Sequence, residues 1–374
     1  MTLTSLFQLK NYWWLLIWLF AAGVFFFFVQ HERTELVLGK KERRWQPWAA
    51  VVLVLPFVLW AGFRGNIGDT YAYKGTFDAM PTMISAWAGY MADVTKDKGF
   101  YFLTLVIKLI VHDAYHIYFL ILAIIQMTCI AVVFRKYSCD FWLSIFLFVA
   151  STDYISWMYN GIRQFTAVTL IYAATALFLK KRFVPAVAVI LFASLFHQSA
   201  LLMLPVIFII QGKAFNKVTL LCIILALAVL LFADQFTDIL DTLMSDTQYE
   251  NVVTDWVEGG DDGMNPIRVL VYSLPTILAL TGIRIIRDED DTVVNFCVNA
   301  SVITTALSII AMGTSGIYVG RLPIYTSLYT TCVLLPWEID HLFTEQSARI
   351  VKALAVVLYC AFFYYQMHFT WGIL

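Results

Sequence analysis

The chain has 374 residues, 61% of them hydrophobic and 14% charged, with 25 Lys and Arg against 26 Asp and Glu. A soluble domain is roughly 45–50% apolar and about 25% charged, and its surface has no room for this much exposed apolar area. Disordered, collagenous, coiled-coil and disulfide-scaffold proteins are excluded with it, which leaves an all-α polytopic integral membrane protein.

A helix that crosses a bilayer needs about 20 apolar residues. The first such run, 11–30, continues through Phe25-Phe26-Phe27-Phe28 instead of ending at small cleavage-site residues, so it is expected to stay as the first span. Further candidate spans lie at 46–63, 114–134, 141–157, 160–179, 218–234, 267–286, 292–312, 319–337 and 348–368. Residues 99–111 are short and bounded by His112-Asp113, which predicts a re-entrant or interfacial helix. Residues 183–211 are broken by Phe196-His197-Gln198-Ser199, which predicts two short arms meeting at His197. The expectation is one transmembrane catalytic domain over 1–374, with about 11–13 transmembrane or re-entrant helices. Loops 64–98 and 235–266 face the substrate. Cys129, Cys139, Cys222, Cys297, Cys332 and Cys360 have no CxxC or metal-ligand spacing and are expected as buried free thiols.

Short basic loops stay in the cytoplasm. Placing loops 31–45, 135–140, 180–182, 211–217, 284–291 and 338–352 there puts 16 of the 25 Lys and Arg inside. That topology needs an outward N-terminus, a non-crossing 99–111 segment and two crossings within 183–211.

The unusual polar clusters then all fall on the outer side. They are Arg64-Gly65-Asn66-Ile67-Gly68-Asp69-Thr70-Tyr71-Ala72-Tyr73; Ser151-Thr152-Asp153-Tyr154 with Gly161-Ile162-Arg163-Gln164; Phe196-His197-Gln198-Ser199-Ala200; and Gly313-Thr314-Ser315-Gly316 through Gly320-Arg321. One Arg at a span end snorkels, and one His on an apolar face is usually structural. Four clusters from distant segments describe a polar, basic pocket instead. Arginines suit bidentate recognition of carboxylate or phosphate oxygens. Gly65, Gly68 and Gly161 either let backbone N–H groups approach an anion or serve the turns. His197 and Asp69 or Asp153 are the available proton acceptors. HExxH, a Walker loop, GxSxG and an outward DxD pair are missing, so the motifs lend no support to a divalent-metal or ATP-driven reaction.

Between Asp234 and Pro266 lie nine acids (Asp234, Asp238, Asp241, Asp246, Glu250, Asp255, Glu258, Asp261 and Asp262), with no Lys or Arg before Arg268. This reads as a solvated loop or lid; Asp261-Asp262-Gly263 lacks the ligand spacing of an EF-hand. Tyr249 and Trp256 suit stacking on sugar rings or anchoring at the membrane interface.

The set resembles the EpsG family of Wzy-type exopolysaccharide and capsule polymerases. The carriers are Arg64, Asp69, Tyr71 and Tyr73; Gly99-Phe100-Tyr101; Gly161-Ile162-Arg163-Gln164; Phe196-His197-Gln198-Ser199-Ala200; and Gly320-Arg321 with Tyr325. Lys98 departs from the pattern, which has an acidic–proline pair before Gly99-Phe100. The resemblance implies a bacterial plasma-membrane glycosyltransferase of GT-C-like architecture, inverting and outward-facing. It moves a glycan from undecaprenyl pyrophosphate to the terminal sugar hydroxyl of another lipid-linked oligosaccharide repeat, without cofactor, nucleotide sugar or metal. The partners implied are membrane lipids, a flippase and a chain-length regulator, and no nucleic acid.

On that reading Arg163 and Arg321 bind the pyrophosphate, with Arg64 as a third ligand, because a leaving pyrophosphate needs cationic stabilisation. His197 is the first choice of base and Asp69 the second. Tyr71, Tyr73, Gln164, Asp153 and Tyr325 orient sugar or phosphate. A flippase or secondary transporter, a membrane O-acyltransferase using His197, and a glycan ligase are the competing readings. Against a transporter stand the lack of an inverted repeat and the gathering of polar clusters at one face. An acyltransferase leaves the arginines without a role.

Overall fold

The computed structural model describes residues 12–151, 153–233, 235–236, 239, 242, 260–261 and 263–370, and there the chain is helical apart from one β-hairpin. It divides into two compact units, Met1–Leu201 with Glu345–Leu374, and Leu202–Thr344.

The first unit opens with α1 (Trp13–Phe28), the hairpin β1 (Glu32–Val37) and β2 (Lys40–Trp45), and α2 (Pro47–Gly62). Two short helices follow, α3 (Thr70–Ala79) and α4 (Trp87–Asp93). Next come α5 (Lys98–Val111), α6 (Tyr115–Tyr137), α7 (Phe141–Ala150) and α8 (Asp153–Ser156). The run ends with α9 (Ile162–Ala173), α10 (Thr175–Leu179) and α11 (Phe183–Ser194), and the C-terminal helix Glu345–Tyr365 belongs to the same unit.

Pairing of α2 with α6 depends on Gly62, where a Cβ would lie 2.8 Å from the Leu120 backbone. The apolar helices are tied by the few polar atoms they carry. The Trp18 indole donates to the Leu53 carbonyl at 2.9 Å and Trp142 to Leu19 at 2.8 Å. Gln126 on α6 donates to Thr166 on α9 at 3.0 Å, which satisfies the donor side of its buried amide.

Residues 31–45, expected as a loop, form the antiparallel hairpin instead. Leu38 (φ 48°) and Gly39 (φ 90°) supply the left-handed turn that a two-residue hairpin needs. Glu32 pairs across the strands with Arg43 at 2.8 Å. The hairpin docks on the end of α6, where Arg135 holds both Glu35 oxygens at 2.8 and 3.0 Å and Arg44 Nε donates to the Lys136 carbonyl at 2.9 Å. This fork from Arg135, helped by Arg33, holds the Glu35 carboxyl down to about 2.

The second unit holds α12 (Met203–Ile209), α13 (Lys217–Leu231), α14 (Pro266–Thr281) and α15 (Ile283–Glu289). It continues with α16 (Thr292–Met312), α17 (Ile324–Tyr329) and α18 (Leu335–His341), the last two joined by a π-helical segment, Thr330–Leu334. Pro336 removes the N–H that would bond the Cys332 carbonyl, and the wider segment before it absorbs the distortion. Helix α16 is the buried axis. Its Thr304 meets Thr326 at 2.8 Å and Thr330 at 3.2 Å, while Thr276 of α14 donates to Ser301 at 2.9 Å.

Among the described residues three helices are long and apolar enough to cross a membrane: Tyr115–Tyr137, Thr292–Met312 and Glu345–Phe369. The pair α14–α15, bent by 69°, makes a fourth if taken as one span. Six shorter apolar helices of 10–17 residues follow other expected spans in truncated form. The 141–157 run stops at Ala150, and 160–179 is interrupted at Ala174. The break in 183–211 falls at His197 as expected, between α11 and a 3-10 turn, Gln198–Leu202. Residues 99–111 form one short helix. None of the six cysteines forms a disulfide, but only Cys297 and Cys332 are buried; Cys139 is exposed and the rest are half-buried, which corrects the expectation of six buried thiols.

Most of the acidic stretch, including Asp234, Asp238, Asp241, Asp246, Tyr249, Glu250, Asp255, Trp256, Glu258 and Asp262, lies outside the described residues. Its end at Asp261 is half-buried and tied down by hydrogen bonds. Ser315 Oγ donates to Asp261 Oδ2 at 2.5 Å, and the N–H groups of Gly316 and Ile317 donate at 2.9 and 3.0 Å. Burial opposes ionisation there, but these donors outweigh it and hold the carboxyl below its usual range.

Candidate active site

Two glycine turns bring the conspicuous residues of the first unit together. Gly68 (φ 54°) and Gly161 (φ 68°) lie where the 67–69 and 159–161 turns meet. A Cβ on Gly68 would sit 2.9 Å from the Tyr159 carbonyl, and one on Gly161 would sit 2.7 Å from the Trp157 ring. The Asp69 N–H donates to the Tyr159 carbonyl at 3.1 Å, and Asp69 Oδ2 accepts the Gly161 N–H at 2.8 Å. The carboxylate therefore sits at the N-terminal end of α9, where the helix dipole favours negative charge.

Arg163 stands in the first turn of that helix. Its backbone N–H donates to the Tyr73 hydroxyl at 3.4 Å, and its guanidinium pairs with Asp97 Oδ2 at 2.8 Å. The guanidinium lies 5.9 Å from the centroid of the Tyr101 ring. Burial lifts the Asp97 carboxyl above the usual carboxylate range, against the pull of Arg163, Lys96 and the Gln198 N–H.

A cavity of about 280 Å³ is lined by Asp69, Ala72, Tyr73, Thr76, Met80, Phe100, Tyr101, Thr104, Tyr118 and Arg163. A second, of about 420 Å³, is lined by Thr76, Tyr90, Asp93, Val94, Thr95, Lys96, Tyr101 and Arg163. Thr76, Tyr101 and Arg163 are common to both. Such walls offer cationic and hydroxyl donors, carboxylate acceptors and aromatic faces. These are the groups that bind sugars and phosphates.

Of the expected residues in the first unit, the structure gathers Asp69, Tyr73 and Arg163 on the wall of one cavity. Arg64 is 2% exposed and lines neither cavity. Its Nε donates to Thr70 Oγ1 at 2.9 Å, it reaches the Ala61 carbonyl, and it lies 4.0 Å from the Phe119 ring centroid. These contacts place it against the C-terminal end of α2. Tyr71 is exposed, Gln164 is buried, and Asp153 opens α8 half-buried, and none of the three lines either cavity. His197 Nδ1 meets Ser199 Oγ at 2.7 Å in the break after α11, and it too lines neither cavity. Arg321, in a 3-10 turn, and the buried Tyr325 belong to the second unit.

Asp97, Tyr90 and Lys96 were not singled out in the sequence, because Asp93-Val94-Thr95-Lys96-Asp97-Lys98 reads as a solvated charge run. The usable signal was Gly99-Phe100, before which an acid was expected. Among the described residues no group of three His, Cys, Asp or Glu side chains converges.

No curated protein and no solved structure matches the chain. A family model, that of the EpsG family, matches residues 48–371 and so covers both cavities. The chain belongs to the EpsG family, membrane proteins whose function at this coarse level is that of a polysaccharide-polymerase type of glycosyltransferase.

Proposed function

We propose that the chain polymerises lipid-pyrophosphate-linked oligosaccharide repeats at the outer face of the bacterial plasma membrane, with arginine rather than a metal ion as the counter-charge. The observation that carries this is Arg163, whose guanidinium forms a wall common to two cavities, one of which also holds Asp69. In the reaction the acceptor hydroxyl oxygen forms a bond to the anomeric carbon of the donor glycan. The bond from that carbon to the pyrophosphate oxygen breaks, and the oxygen keeps the electron pair. Arg163 stabilises the charge that develops on the leaving pyrophosphate. Asp69, on the wall it shares with Arg163, accepts the hydroxyl proton; His197, the other candidate base, stands outside both walls. Tyr73 and Tyr101 present a hydroxyl and an aromatic face to the sugar. The outward orientation is supported by the 16 of 25 basic residues that fall in loops on the opposite side.

The test incubates purified protein in detergent with a lipid-pyrophosphate oligosaccharide and no nucleotide sugar. A ladder of repeat multiples is the expected product. Passage of the substrate across a vesicle without new linkages would overturn the reading in favour of a carrier. Full activity of Asp69→Asn with loss in His197→Ala would move the proton acceptor to His197.

A further inference from the structure

We infer that Asp97 is a positioning residue for Arg163: its carboxylate holds the guanidinium at the wall between the two cavities and ties that wall to the helix break after α11. The inference rests on the polymerase reading of the Arg163 site.

Asp97 adopts φ 54° and ψ 40°, a left-handed backbone uncommon for any residue but glycine and easiest for Asn and Asp. Its side chain is only 8% exposed, although Lys96 and Lys98 on either side are exposed. A buried carboxylate is costly unless paired, and this one has two partners from distant segments. One is the Arg163 guanidinium at 2.8 Å; the other is the backbone N–H of Gln198, next to His197. The attachment to that break is repeated two residues on, where the Gly99 N–H donates to the Leu195 carbonyl at 2.8 Å. A Cβ on Gly99 would sit 2.7 Å from Leu195 Cβ, so the two segments lie in direct contact.

Arginine carries a long stem with large rotamer freedom, and a guanidinium aimed by nothing spreads over many positions. Here Asp97 grips Nη1 from one side, and the Tyr73 hydroxyl bonds the same side chain from α3. Two anchors on separate elements fix its aim, which is what preorganised stabilisation of a leaving group demands.

Asn and Gly both suit the left-handed backbone but remove the charge, so Asp97→Asn and Asp97→Gly separate aim from fold. With full-length protein in lipid nanodiscs and lipid-linked repeats, both are expected to lower kcat by about ten- to a hundredfold with KM within about threefold. Asp97→Glu, which restores the charge, recovers a large part of kcat. A readout without turnover is phenylglyoxal labelling of Arg163, followed by peptide mass spectrometry. Labelling should quicken severalfold in the Asn and Gly variants and stay near the wild-type rate in Asp97→Glu. Unchanged kcat and labelling in Asn and Gly variants that purify folded would overturn the inference. So would a Glu variant no better than the neutral ones. A wild-type protein that makes no ladder would defeat the polymerase reading alone, since labelling still decides the role of Asp97. If the Asn variant does not fold, the Gly variant carries both measurements.

Discussion

At the scale of single residues, the site rests on a few side chains whose geometry can be broken separately. Arg163→Lys keeps the charge but loses the planar fork and the contact geometry with Asp97, and repeat addition should fall by about a hundredfold, measured as initial rate of chain growth. Gly161→Ala puts a Cβ 2.7 Å from the Trp157 ring at φ 68°. It should cost about 1–3 kcal/mol and lower the thermal midpoint in detergent. Gly75→Ala is the control. It lies within α3 with nothing near its Cβ position, and it should be neutral or stabilising by about 0.5–1 kcal/mol. Arg163, Asp69 and Tyr73 were legible in the sequence because a charge or phenol beside an apolar run demands an explanation. Arg64 demanded one equally, yet its answer, the Ala61 carbonyl, Thr70 and the Phe119 ring, depends on tertiary packing that no local pattern displays. Asp97 was hidden for the opposite reason: two lysines flank it, and only its backbone conformation and its partner set it apart from solvated charge.

Among the elements, the hairpin was the least expected. Its sequence alternates charges of both signs, with no apolar face to announce a strand, and its order comes from ion pairs and the end of α6. Because the Glu35 carboxyl is held down to about 2 in the folded chain, its pairing contributes stability above the ordinary carboxylate range. That contribution is lost as pH falls from about 4.5 towards 2, and solvent exposure keeps it small. Amide-exchange protection of residues 32–45, corrected for intrinsic rates, should therefore drop in this window. Glu35→Gln should start lower and show no such drop, and identical profiles for the two proteins would contradict the assignment. The break at His197 was legible because polar residues interrupt an apolar run there. The interruption at Ala174 was not, since neither Pro nor Gly marks it.

For the whole molecule, composition was enough to establish a membrane protein. The lengths of the individual helices were not legible, because hydropathy counts apolar residues and not the helical continuity that packing leaves them. Orientation is open to labelling with a membrane-impermeant maleimide in intact cells, on a cysteine-free background. Leu36 in the hairpin is 71% exposed and Tyr71 on α3 is 76% exposed, so both accept a probe. Tyr71→Cys should be labelled and Leu36→Cys protected until the cells are opened; the reverse pattern would turn the site to the cytoplasm. The most direct measurement compares wild type and Arg163→Lys, each purified and given lipid-pyrophosphate oligosaccharide without nucleotide sugar. Arginine stabilisation of the leaving pyrophosphate requires a ladder from the wild type and growth about a hundredfold slower from the variant. Equal ladders from both would contradict it.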